Sequence, residues 1–187
     1  MELNRYIKIY DNVIPVETIA NIVKVGNTIN FEPGGIDEGQ IDKTLRSVNL
    51  KNLTNLSDSM TIVHWYNYLY SLLQHYLKEY NKEINHIRGS IVTDIVSIEL
   101  LKYKKSDEYV YHWDHAMSAP RTLSCTLLLN DDYEGGNLFF KEIEGANEFY
   151  LENKPGRLII WPSNFLYPHC IKPVKKGTRF SIVSWAL

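Results

Sequence analysis

From Gly89 onward the chain reads as a succession of short strands. The segments 91–103, 109–114, 122–129, 137–141, 157–161, 169–174 and 179–185 are rich in β-branched and aromatic residues. Turn signals separate them: residues 104–108, Asp131-Asp132, Glu134-Gly135-Gly136, Lys154-Pro155-Gly156 and Lys175-Lys176-Gly177. Many short strands at such spacing bury their apolar faces by stacking as a sandwich or closing as a barrel.

Before Gly89 the pattern differs. Residues 5–10 alternate like a short strand, and Pro15 opens a helix with Ile19, Ile22 and Val23 on one face. That helix stops at Pro33-Gly34-Gly35, and residues 34–43 read as a polar, glycine-rich loop. A second helix, capped by Ser57 or Asp58, carries Ile62, Tyr66, Leu69, Leu73, Tyr76 and Tyr80 at helical spacing. The expected fold is therefore mainly β with N-terminal helices (α+β). Helical support runs over about 14–88 and a β core over about 90–187, in one domain spanning 1–187.

Composition excludes several classes of function. A chain of 187 residues that is 44% hydrophobic is not disordered, and no apolar run approaches a membrane span. The first residues lack the continuous apolar stretch of a signal peptide. Twenty basic against 22 acidic residues give no bulk positive field for nucleic acid. Cys125 and Cys170 lie in apolar runs and are expected as reduced thiols in a cytoplasmic protein.

The chemistry concentrates in Tyr109-Val-Tyr-His-Trp-Asp-His115. On a strand, His112 and Asp114 share a face and Trp113 takes the other. An imidazole beside a carboxylate is two thirds of a facial metal triad, which His169 on a later strand would complete. Two histidines and one carboxylate suit non-haem Fe(II), though the same residue types also bind zinc, and His115 is a rival ligand on the opposite face. The competing reading of the triplet is an ordinary hydrogen-bonded His and Asp. Arg179 adds weight to the metal reading. It stands in an apolar strand, sharing a face with Ser181, Val183 and Trp185, and an inward guanidinium needs an anion to meet it. With a metal nearby, the simplest anion is the far carboxylate of a dicarboxylate co-substrate.

These residues resemble the Fe(II)/2-oxoglutarate-dependent dioxygenases, and within them the prolyl 4-hydroxylase branch. The resemblance runs from about Ile98 to Trp185. It is carried by Tyr103, Tyr109-x-x-His112-x-Asp114, Arg121-Thr-Leu-Ser-Cys-Thr-Leu-Leu-Leu-Asn130, Tyr133-Glu-Gly-Gly-Asn-Leu138, the run from Lys154 to His169, Gly177-Thr-Arg179 and Ser184-Trp185. It implies a double-stranded β-helix (jelly roll) with His112, Asp114 and His169 on Fe(II). It also implies Arg179 on the distal carboxylate of 2-oxoglutarate, Tyr103 and Ser181 as further co-substrate contacts, and O2 as oxidant. Ascorbate dependence is a property of relatives. Tyr109, Arg121 and Trp185 match the positions that surround a target proline in a peptide or protein substrate, and residues 34–43 resemble a substrate lid. Two other readings stand beside this one: the same chemistry on a small molecule or another residue, and a jelly-roll binding protein without catalysis. The nucleic-acid demethylase branch carries a second arginine where this chain has Trp185.

Overall fold

The computed structural model describes residues 3–36, 40–54, 59–84, 94–142 and 147–187. A 3-10 turn, Leu3–Tyr6, leads into β1 (Lys8–Tyr10), α1 (Val16–Gly26), β2 (Glu32–Pro33), β3 (Asn49–Asn52) and α2 (Met60–Ile84). The β region follows: β4 (Ile95–Tyr103), β5 (Tyr109–His112), β6 (Leu123–Leu128), β7 (Glu134–Gly135) and β8 (Leu138–Lys141). It continues with β9 (Glu148–Tyr150), β10 (Leu158–Pro162), β11 (His169–Ile171), β12 (Val174–Lys176) and β13 (Arg179–Ala186). The larger, seven-stranded sheet has the order β1-β10-β6-β13-β4-β3-β2. A four-stranded sheet runs β5-β11-β8-β9, and β12 pairs with β7. All the pairings are antiparallel. The chain is mostly β, with a jelly-roll core and two helices.

Strand alternation divides the large sheet into two faces. Ile98 and Leu100, Leu123, Cys125 and Leu127, Leu158 and Ile160, and Phe180 and Ile182 pack with Ile19 and Ile22 of α1 and with Ile62, Leu69, Leu73, Leu77 and Tyr80 of α2. Their alternate neighbours, including Leu101, Tyr103, Leu128, Ile159, Trp161, Val183 and Trp185, pack with Leu138, Phe140 and Ile171 of the smaller sheet. Each fully buried aliphatic side chain contributes about 1.5–3 kcal/mol. The site sits on this second side, between the sheets.

The sequence expectations hold for α2 and for the main strands, with differences elsewhere. α1 opens after Pro15 as expected but ends at Gly26, short of the expected stop at Pro33-Gly34-Gly35, because Asn27 N and Thr28 Oγ1 close its last turn on Val23 O and Val25 O. Asn4 O accepts from Ile7 N (3.0 Å), so the first residues turn and pairing begins only at Lys8. The expected strand 169–174 is split, because Pro173 has no N–H to give a ladder and Lys172 N instead reaches Asn137 O (3.1 Å). The strands β2, β3 and β9 carry no apolar alternation and lie at or near sheet edges, where pairing needs none. The proposed caps Ser57 and Asp58 lie outside the described residues. Among the described residues no helix is long and apolar enough to cross a membrane.

Candidate active site

The antiparallel register of β5 and β11 sets His112 opposite His169, with ring centroids 4.3 Å apart. A backbone carbonyl orients each ring: His112 Nδ1 is 2.8 Å from Val110 O, and His169 Nδ1 is 3.0 Å from Tyr167 O. A proton on Nδ1 satisfies both carbonyls and leaves each Nε2 lone pair available to a metal. β5 ends at His112, before the expected boundary, because Asp114 N and His115 N both donate to Ser163 O (3.1 and 3.0 Å). The bend carries Asp114 inward and leaves Trp113 56% exposed, the faces that alternation predicts.

Asp114 Oδ2 lies 3.4 Å from His169 Nε2, and Oδ1 lies 3.7 Å from His112 Nε2. The three donor atoms fall within 4.8 Å of one another, the one such group among the described residues. Ser124 Oγ donates to Asp114 Oδ2 (2.6 Å) and lies 2.8 Å from Ser163 Oγ. Burial, and then neighbouring His169, pushes His112 down to about 3, so its ring stays neutral at physiological pH. For Asp114 burial alone would raise the pKa. The neighbouring His169 and His112 rings and the hydrogen bond from Ser124 outweigh burial and hold the carboxyl well below its usual range. Two neutral imidazoles and one carboxylate are the donor set for divalent iron, and zinc accepts them too. His115, the rival ligand, lies apart, its Nδ1 2.8 Å from Arg121 O.

Arg179, Ser181, Val183 and Trp185 face the cavity that His112, Asp114 and His169 also line. Arg179 is 1% exposed. Its Nη1 donates to Ser181 Oγ (2.7 Å), while Nε and Nη2 are buried without a partner. Among the described residues no carboxylate pairs with it. Two orphaned N–H groups on a buried cation are costly unless an anion meets them. The Tyr103 ring sits 5.2 Å from the guanidinium carbon. Gly136 (φ +61°) keeps the approach open, since a Cβ there would meet Val174 Cγ2 at 2.9 Å and Arg179 Cδ at 3.1 Å.

The mouth of the cavity is aromatic and basic. Tyr109 stacks on His112 (3.5 Å, 15°), and the Arg121 guanidinium lies 3.8 Å from the Trp185 ring centroid. Arg121 Nη1 also donates to Asp114 O (3.3 Å). Arg46 was absent from the sequence expectations. It lies 4.9 Å from the Tyr109 ring and lines both the inner cavity and a wider outer one of about 690 Å³. Its only sequence signal is a charge between apolar Leu45 and Val48, in a stretch without strand periodicity. Ser124 was also missed, although it and Thr126 are the polar members of an otherwise apolar strand. Of the expected lid, Gly35 and Ile36 line the outer cavity and Gly35 O accepts from Arg46 Nη1 (2.6 Å). Residues 37–39 lie outside the described residues.

Residues 98–187, which hold the three donors and Arg179, match the family model of the 2OG-Fe(II) oxygenase superfamily. Just under half of the chain is thus similar to that superfamily. Among the proteins it resembles, PKHD-type hydroxylases and prolyl hydroxylases recur. A PKHD-type hydroxylase from Synechococcus sp. (strain CC9902) is 36% identical over 100 residues, which are 51% of this chain and 43% of that protein. The chain thus spans a little over two fifths of the length of the curated relatives it matches. Two solved structures share the fold. A prolyl hydroxylase from Trichoplax adhaerens, in complex with a hypoxia inducible factor oxygen degradation domain peptide, has a TM-score of 0.78 at 17% identity, over 98% of this chain and 84% of that one. A Pseudomonas putida prolyl-4-hydroxylase has a TM-score of 0.69 at 18% identity, over 96% and 91%.

Proposed function

We propose that the chain is an Fe(II)- and 2-oxoglutarate-dependent hydroxylase acting on proline in a peptide or protein, with residues 1–187 working as one domain. The observation that carries this reading is one cavity with a metal donor set and, lining the same space, a buried arginine with two unpaired N–H groups. In this reading His112, Asp114 and His169 hold Fe(II), and Arg179 grips the distal carboxylate of 2-oxoglutarate. Ser181 fixes the guanidinium through its 2.7 Å hydrogen bond, and Tyr103 contributes a second co-substrate contact. When bound, Fe(II) and 2-oxoglutarate supply the O2 activation that, coupled to decarboxylation to succinate, delivers a hydroxyl group to the substrate.

The chain's own residues provide position and dryness. The carbonyls of Val110 and Tyr167 lock the imidazoles so that their lone pairs converge. Ser124 and Ser163 hold the Asp114 carboxylate in place. Tyr109 and Trp185 offer flat apolar walls for a pyrrolidine ring, and Arg121 offers a donor for an adjoining carbonyl. The prolyl hydroxylases that share the fold support proline as the target, and the wide outer cavity supports a peptide in preference to a small molecule. Both cysteines are free and buried, which fits the reducing, cytoplasmic setting we infer. Ascorbate would act from solution as a reductant.

The test is anaerobic mixing with Fe(II) and 2-oxoglutarate, followed by aerobic turnover of a proline-centred peptide library. A weak visible charge-transfer band is expected on mixing, and a mass gain of one oxygen on turnover. A band without any oxygenated peptide would overturn the peptidyl-proline target. No band at all would overturn the assignment of the cofactor site.

A further inference from the structure

One buried carboxylate beside the inner cavity has no role in the chemistry above. Glu99 lies on the inner face of β4, opposite Val183 and one alternation from Leu101, and both of these line the inner cavity. Its side chain is only 15% exposed and its Oε2 has no hydrogen-bond partner. Arg46 approaches it, Nη2 standing 4.0 Å from Oε2, too far for a hydrogen bond. Arg46 is 11% exposed, and its own Nε is likewise buried and unpaired. Its Nη1 is taken by Gly35 O. One acceptor and one donor are therefore left unsatisfied near each other, on a pair of which Arg46 lines both cavities and Glu99 lies behind the inner one. Leaving either group unpaired is costly, so the pair is built for something that brings the complementary donor and acceptor together.

An extended residue of a peptide is such a group, because its own N–H and C=O point to the same edge of the chain. We infer that Glu99 and Arg46 read one residue next to the target proline, its amide N–H donating to Glu99 Oε2 and its carbonyl accepting from Arg46 Nε. The inference rests on the peptidyl-proline reading and narrows it. Proline has no N–H, so the neighbour on the side being read cannot itself be proline or be N-methylated. Consecutive prolines on that side are poor substrates, and a substrate with an ordinary residue there is preferred.

The experiment uses a pentapeptide library, Xaa-Xaa-Pro-Xaa-Xaa with no second proline, in three forms. One is unmodified, one is N-methylated on the residue before the proline, and one is N-methylated on the residue after it. Turnover is read as a gain of one oxygen with Fe(II) and 2-oxoglutarate present. One of the two methylated libraries is expected to fall roughly tenfold or more below the unmodified one, and the other to stay near it. In Glu99→Leu the unmodified library falls to the lower level and methylation no longer matters. Glu99→Gln, whose carboxamide oxygen still accepts, keeps the preference and decides the matter should Glu99→Leu not fold. Binding of 2-oxoglutarate, at the Arg179 end, stays unchanged in both variants. Equal turnover of all three libraries, or a preference that survives in Glu99→Leu, would overturn the inference while leaving the hydroxylase reading intact. No oxygenated peptide from any library would instead overturn the peptidyl-proline reading on which it depends.

Discussion

At the scale of single residues the site depends on side chains that touch the donors as well as on the donors themselves. Ser124 shows this. Its hydroxyl donates to Asp114 Oδ2 at 2.6 Å and is 0% exposed, so no water can replace it. Groups that orient a ligand typically account for 10–100-fold in metal affinity. Ser124→Ala is therefore expected to weaken Fe(II) binding by about that factor in an anaerobic titration, whereas Asp114→Ala abolishes it. Equal affinity in Ser124→Ala and the parent would show the hydroxyl to be structural only. The contrast also explains what could be read in advance. His112, Asp114 and Arg179 were legible because each is a costly residue type in an apolar run. Ser124, Ser163 and Glu99 were not, because a serine or glutamate in a strand is unremarkable until its partner across the fold is known.

At the scale of elements, β13 shows how alternation separates stability from chemistry. Ile182 faces the helices and Ser181 faces the cavity, yet both are about 1% exposed. Ile182→Ala is expected to cost about 2–5 kcal/mol in urea unfolding while leaving 2-oxoglutarate affinity unchanged. Ser181→Ala should lower that affinity about tenfold and cost less stability, about 1–3 kcal/mol, since it releases Arg179 Nη1. The reverse pattern would mean that the two faces had been misassigned. The same periodicity made the long central strands readable, whereas β2 and β3, which carry no apolar alternation, gave no such signal. The N-terminal edge is tied differently. Asp11 accepts from Arg157 Nε (2.7 Å), Arg157 Nη2 (3.0 Å) and Lys154 Nζ (3.1 Å), fastening the residue after β1 to the start of β10. The Arg157 hydrogen bond lowers Asp11 from 3.8 to about 2. A carboxyl depressed in the folded state stabilises above its unfolded pKa, and loses that contribution as pH falls through the folded one. Its side chain is 34% exposed, so solvent screening limits the effect to about 1 kcal/mol or less. Asp11→Asn should lower the urea midpoint slightly at pH 7, and the difference should close as pH falls from about 4 towards 2. A difference that stays constant with pH would assign the loss to something other than this ion pair.

At the scale of the whole molecule, the site is where the two sheets are joined. His112 and His169 belong to the smaller sheet and Arg179 to the larger, while Asp114 is fastened to the larger sheet through Ser124 of β6. Between the sheets the cavity is lined by unpaired polar groups, so the apo protein carries a strip where the layers are poorly bonded to each other. Ligands that fill it staple one layer to the other. A ligand at about 100 times its dissociation constant adds about 2.7 kcal/mol, and a chain of this size gains about 2–4 °C per kcal/mol. Anaerobic Fe(II) is thus expected to raise the melting temperature by about 5–10 °C, and 2-oxoglutarate to add a further increment of similar size. In Arg179→Ala the metal increment should persist and the co-substrate increment should largely vanish, because only the far carboxylate has lost its receptor. In His169→Ala both should vanish, because the co-substrate binds through the metal as well as through Arg179. A full 2-oxoglutarate increment in Arg179→Ala would mean that the diacid bridges the sheets by a different route, and that the buried guanidinium serves the fold alone.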